Sequence, residues 1–230
     1  MQITALWRYP VKSMLGEPLD GARVDHGGFE GDRGIALVDE VTGRVATAKH
    51  PRLWRELLRY SAAARDGRVR ITSPAGWTRD ALDPRVAEVL AGELGRAVRV
   101  AAQRPESAAV DRPDPEDVLA RGVEAEVDAP SLEIAQGTTG GSFVDHSPVH
   151  LITTATLAEI GAEYRRYRPN LVIATPDGTP PYVENTWIGR ELHLRAPDGT
   201  TVTLAVSLPT PPSTRSSPAP PLTVSSPCSP

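Results

Sequence analysis

The chain has 230 residues, a formal net charge of −4, 23% charged and 40% hydrophobic residues, and one cysteine, Cys228. That length suits one ordinary domain or two small ones, and the weak negative charge excludes the basic face needed to wrap nucleic acid. No apolar run approaches the roughly 20 residues that cross a bilayer, no basic start precedes an apolar stretch, and a lone cysteine excludes an internal disulfide or a CxxC metal site; a cytoplasmic protein without membrane or nucleic-acid partners is expected.

Gln2 to Tyr9 reads as a strand halted by Pro10. Ile35–Asp39 and Arg44–Thr47, joined by Glu40-Val41-Thr42-Gly43, read as a hairpin. Pro51 to Tyr60 is amphipathic without choosing a period. Arg68–Thr72 reads as a strand. In Pro84–Leu94, Val86, Val89, Leu90 and Leu94 share a helical face, with Asp83 as expected N-cap and Pro84 at the first helical position. Val98–Ala101 returns as a strand and closes a first unit, 1–102. Residues 103–130 are polar and rich in Pro, Asp and Glu, a loop-rich connector.

A second unit, 131–206, opens on the alternating Leu132-Glu133-Ile134. A Gly/Thr loop over 136–142 and a short strand at His150–Ile152 follow. Thr153–Arg166 carries the periodicity of a helix through Leu157, Ile160 and Tyr164, and Thr156 with Glu159 has capping-box spacing. Leu171–Ala174 is a strand, and Leu192–Arg195 with Thr201–Val206 form a hairpin around Pro197-Asp198-Gly199. Residues 207–230 hold eight of the 23 prolines and no acid, a composition that cannot order itself. The expected class is α+β, mainly β: a β-barrel-like N-terminal domain and a second β-barrel domain with one or two helices.

Few residues invite chemistry. Lys12 and Lys49 are the only lysines. Lys12-Ser13, just after Tyr9-Pro10-Val11, sits at a strand end where a cation and a hydroxyl can meet an anion; a solvated lysine after a turn is the alternative. Gly27-Gly28-Phe29-Glu30-Gly31-Asp32-Arg33-Gly34 allows close backbone approach, and Arg33 can offer a fork to a phosphate or simply pair with Asp32. Arg165, Arg166 and Arg168 favour the negative end of a helix, but Asn170, entering a buried strand, needs a fixed amide partner. His146 and His150 are separated by Pro148, which breaks the helix a zinc pair would use, so no metal site is expected. No nucleophile elbow occurs.

Together these segments resemble the MOSC family, the domain at the C-terminus of molybdenum cofactor sulfurases. Leu6-Trp7-Arg8-Tyr9-Pro10-Val11-Lys12-Ser13, Gly31-Asp32-Arg33-Gly34-Ile35-Ala36-Leu37-Val38 and Thr47-Ala48-Lys49-His50-Pro51-Arg52-Leu53 are similar to the β-barrel domain that precedes MOSC. His150-Leu151-Ile152-Thr153-Thr154-Ala155-Thr156-Leu157, Arg168-Pro169-Asn170-Leu171-Val172 and Glu184-Asn185-Thr186-Trp187-Ile188-Gly189-Arg190 are similar to the MOSC core. The resemblance implies a molybdenum cofactor (molybdopterin), with Lys12, Ser13 and Arg33 on its phosphate and Thr153, Thr154, Arg168 and Asn170 on the other wall. It also implies reduction of small N-oxygenated substrates with an electron-donor protein or domain, or the handling of cofactor sulfur; pyridoxal phosphate binding is a further association of the family.

One departure bears on the metal. The family runs Pro-Thr-Pro-Arg-Cys after its last hairpin, and that thiolate ligates molybdenum. This chain reads Pro209-Thr210-Pro211-Pro212-Ser213, and a serine hydroxyl is no substitute for soft sulfur. A shifted reading frame near residue 207 or a naturally altered tail explains the change, leaving a non-catalytic carrier or an inactive product as the alternatives to a reductase.

Overall fold

In the computed structural model, which describes residues 1–138, 140–161, 165 and 167–209, the first strand, β1 (Gln2–Arg8), ends before Pro10, whose nitrogen has no hydrogen to donate. Short strands follow: β2 (Glu17–Leu19), β3 (Val24–Asp25), β4 (Gly28–Phe29) and β5 (Ala36–Asp39). Pro51 starts a single helical turn, α1 (Pro51–Trp54), continued as a 3₁₀ turn over Arg55–Arg59. The meander β6 (Ser61–Arg65), β7 (Arg68–Thr72) and β8 (Thr78–Asp80) leads to α2 (Val86–Leu94) and β9 (Val98–Ala101).

The stretch expected to be a loop-rich connector contains β10 (Ala109–Asp111) and α3 (Pro115–Arg121), the helix capped by Asp114 with Pro115 at its first position. Then come β11 (Ser131–Glu133), β12 (Leu151–Thr153), α4 (Thr154–Ile160), β13 (Leu171–Ala174), a 3₁₀ turn at Val183–Trp187, and the hairpin β14 (Glu191–Arg195) and β15 (Thr201–Ala205). Strand residues outnumber helical ones, so the class is α+β, mainly β, as expected.

Three boundaries differ from the sequence reading. Arg44–Thr47 forms no strand beyond a bridge from Val45 to Val38, although the expected turn is present and Asp39 accepts from the Val41 and Thr42 amides. α2 begins at Val86; Asp83 accepts instead from the Arg85 amide, a local turn one step early. α4 stops at Ile160 because Gly161 takes φ +60° as its cap; Tyr164 and Arg166 lie outside the described residues, as do Thr139 and 210–230, including Ser213 and Cys228.

One sheet runs β12-β13-β1-β2: β1 lies antiparallel between β13 and β2, and β12 is parallel to β13. The N-terminal strand is therefore built into a sheet with strands about 165 positions later, Leu6 facing Leu171. β5 is buried on both faces. Leu37 enters one core with Val11, Met14, Trp54, Leu57, Ile71 and Leu90, while Ala36 and Val38 enter another with Val110, Ile134 and Phe143. Each fully buried aliphatic side chain, such as Leu57 or Ile71 at 0% exposure, contributes about 1.5–3 kcal/mol. The second core ties residues 108–143 to β5.

Candidate functional site

Four distant segments meet where β1 gives out. Residues 9–12 run beside 33–35: Arg33 N–H donates to the Tyr9 carbonyl at 2.7 Å and Lys12 N–H to the Ile35 carbonyl at 2.8 Å. Phe143 N–H donates to the Arg33 carbonyl at 2.7 Å, which brings in residues 143–145. Trp7 N–H donates to the Asn170 carbonyl at 2.9 Å, which brings in the residues that precede β13.

Lys12 is only 5% exposed. Its Nζ donates to the Phe143 carbonyl at 2.9 Å and pairs with Asp145. Lys49 Nζ reaches the other oxygen of the same carboxylate at 2.6 Å. Both lysines of the chain thus hold one aspartate. Burial pushes the Lys12 ammonium down to about 8 against the pull of Asp145. Burial would raise the Asp145 carboxyl, but Lys12 and Lys49 outweigh it and keep it well below the usual range.

Arg33 lies over the Tyr9 ring, 5.1 Å from its centroid. Its guanidinium pairs with Asp32 and donates to Asn170 Oδ1 at 3.3 Å and to the Arg168 carbonyl at 3.0 Å. Asp32 is fixed from behind by the Tyr9 amide at 2.7 Å. Burial, and then the Arg33 charge, lower the Arg168 guanidinium, though an arginine so displaced keeps its charge. Burial, with Arg33 next, pushes the His150 imidazole down to about 4, so it is neutral near pH 7. Four cations, Lys12, Lys49, Arg33 and Arg168, therefore face two carboxylates, Asp32 and Asp145, in one partly buried region.

The backbone is strained at the same place. Ser13 has φ +68°, Arg33 +48° and Arg168 +51°, left-handed values that cost a non-glycine residue about 1 kcal/mol or more each. Local bonds hold them there: Ser13 Oγ accepts from the Ala48 amide at 3.0 Å, next to Lys49, and Arg168 is pinned by Arg33. Strain of this kind collects at binding sites, where it aims side chains that relaxed backbone would turn elsewhere.

Of the seven residues that the sequence suggested as ligands, the structure brings together Lys12, Ser13, Arg33, Arg168 and Asn170. Asn170, 0% exposed, is the hub: Oδ1 accepts from the His150 amide at 3.0 Å, and Nδ2 donates to the Trp7 carbonyl at 3.2 Å. Thr153 and Thr154 stand apart. Thr153 pairs with Ile173 at the far end of the strand, about 10 Å along from Asn170 at the usual rise. Its hydroxyl caps α4 and donates to Glu184 at 2.8 Å, while Thr154 bonds Thr175.

Asp145 was missed because an isolated acid in a loop carries no pattern, and Lys49 had only its rarity to mark it. His146 is exposed beside Ser147. Among the described residues no three His, Cys, Asp or Glu side chains are grouped to hold a metal. Two surface depressions, one of 340 Å³ floored by Arg8, Arg23 and Glu30 and one of 520 Å³ beside Arg79, Arg85 and Glu93, lie elsewhere.

Residues 1–113 match the family model of the MOSC N-terminal beta barrel domain. No curated protein matches the chain.

Proposed function

Residues 1–113 belong to the MOSC N-terminal beta barrel domain family, and from that premise we propose that the cluster around Lys12, Arg33 and Arg168 binds the phosphate end of a molybdenum cofactor. The family ties the chain to molybdenum cofactor sulfurase-related chemistry at a general level. The supporting observation is the charge count, four cations against two carboxylates, together with the Ser13 hydroxyl. An excess of two positive charges suits a phosphate dianion, and partly buried arginine and lysine donors suit its oxygens. Asp32 and the Tyr9 ring orient Arg33, and Asn170 holds the ends of β12 and β1 on which Arg168 depends.

When bound, the cofactor would supply two-electron redox chemistry, which on the reading of a reductase acts on small N-oxygenated substrates with electrons from a partner protein or domain. The protein's own part is binding, orientation and exclusion of water. The metal end is less well served: the described residues offer no thiolate, and the sequence places Ser213 where the family has cysteine. That favours a second reading, a carrier of cofactor or sulfur without turnover.

The test is molybdenum and pterin content of protein purified from a host that makes the cofactor. Wild type should carry both, and Arg33→Ala and Arg168→Ala should each lose most of them, since a charge-assisted hydrogen bond is worth about 1.5–3 kcal/mol. Wild type free of pterin after such expression would sink the reading. Amidoxime reduction with an artificial donor then separates reductase from carrier.

A further inference from the structure

Asp145 differs from the other carboxylate of the cluster. Asp32 accepts a backbone amide and is buried at 4% exposure, so it is part of the frame. Among the described residues the Asp145 side chain forms its ion pairs with Lys12 and Lys49, and it is 32% exposed, the most open member of the trio beside Lys12 at 5% and Lys49 at 17%. A carboxylate bridging two ammonium groups at the open side of a cationic site occupies the electrostatic position of a ligand anion.

We propose that Asp145 is a specificity-determining residue of the anion site: its carboxylate cancels one of the four positive charges and sets the charge of the ligand the site takes. This rests on the anion-site reading above and goes beyond it by naming the residue that selects a dianion. With Asp145 and Asp32 in place the excess is two; without the Asp145 charge it is three, and the site favours more highly charged phosphates. Coulomb attraction scales with the product of charges, so the gain on removing Asp145 grows with ligand charge.

The experiment is calorimetric titration of wild type, Asp145→Asn, Lys49→Gln and the double variant with nitrate, inorganic phosphate and pyrophosphate at fixed ionic strength, after circular dichroism has confirmed each fold. Asp145→Asn is expected to bind pyrophosphate on the order of tenfold tighter, phosphate by a smaller factor, and nitrate nearly unchanged. The double variant, with its excess back at two, should return to the wild-type order of preference. Arg33→Ala is the control for the site itself and should lose phosphate binding. Unchanged or uniformly weaker binding in Asp145→Asn, with the Arg33 control behaving as expected, overturns the role of Asp145 and leaves the site standing. Absence of pyrophosphate binding in wild type and Asp145→Asn alike overturns both. If Asp145→Asn fails to fold, Lys49→Gln decides alone: it should weaken pyrophosphate more than phosphate, and an equal loss for both overturns the proposal.

Discussion

The Arg33 guanidinium donates to the Arg168 carbonyl at 3.0 Å across 135 positions of sequence. Both residues have positive φ, so each end of this bond sits on strained backbone. The bond is a cross-brace between the loop after β4 and the approach to β13, and it lines up two like charges that would otherwise separate. Anything that loosens either end should therefore be felt at the site and in the fold together.

Asn170 is the most exacting position in that brace. Asn170→Leu removes the side-chain acceptor of the His150 amide and one donor to the Trp7 carbonyl, and each such buried bond lost costs about 1–3 kcal/mol. Urea denaturation should show a loss of about 2–5 kcal/mol. A loss under 1 kcal/mol would mean that water replaces the amide freely.

His150 predicts an acid sensitivity. The folded state resists protonating it until about 4, while the unfolded chain takes the proton near its ordinary value of 6.5. A depressed base stabilises the fold fully above about pH 6.5, and that contribution is lost as pH falls from there towards 4. The ring faces Arg33, Lys49 and Arg168, so a charge there is opposed from three sides. Unfolding free energy should fall through this window in wild type, and the slope should flatten in His150→Asn. Equal slopes in the two proteins would count against a neutral His150 imidazole held below its ordinary value.

Glu17 locks the first sheet to the meander. It is 3% exposed and accepts from Arg8 at 2.7 Å, the Ala64 amide at 2.8 Å and Arg65 at 2.6 Å. Burial raises its carboxyl, and these donors more than reverse that, leaving it lowered. Glu17→Ala leaves Arg8, 20% exposed, and Arg65, 66% exposed, to water and should cost about 1–3 kcal/mol for the lost charge-assisted bonds. A thermal melt within 2 °C of wild type would refute it.

Gly28 and Gly43 both have positive φ, +105° and +69°, but only Gly28 is crowded. A Cβ there would lie 2.4 Å from the Pro148 carbonyl oxygen, whereas at Gly43 it meets nothing within 4 Å. Gly43→Ala should cost about 1 kcal/mol for its backbone alone. Gly28→Ala should cost at least twice as much, because β4 must move off Pro148. The two chemical-denaturation midpoints decide it, and similar values would show that the loop yields.

Local pattern made some of this legible and hid the rest. β9 falls at Val98–Ala101 as its alternation indicates, and the Pro-Asp-Gly turn marks the β14–β15 hairpin. The need for a partner at Asn170 was visible, because a buried amide entering a strand is costly unless bonded. Which groups bond it was not, since Trp7 lies 163 positions away. For the same reason the pairing of β1 with β13, the shared hold of two lysines on Asp145, and the separation of Thr153 from Asn170 had no local signature. The helix expected to reach Arg166 shows the reverse error: periodicity continued past Gly161, and one left-handed residue ended the element.

The placement of β1 between β13 and β2 also has a consequence in time. On a ribosome, Gln2–Arg8 emerges well before β13, and Thr4 must wait 168 positions for the Val172 carbonyl it bonds. At about 5–20 residues per second that wait is roughly ten to thirty seconds. Throughout it the strand has β2 on one side and an open edge on the other, a row of free amides and carbonyls able to pair with a neighbouring nascent chain. Slow translation, or a stall before residue 171, should therefore favour aggregation, and a chaperone that shields the β1 edge should raise the yield of this protein more than one acting on the finished chain.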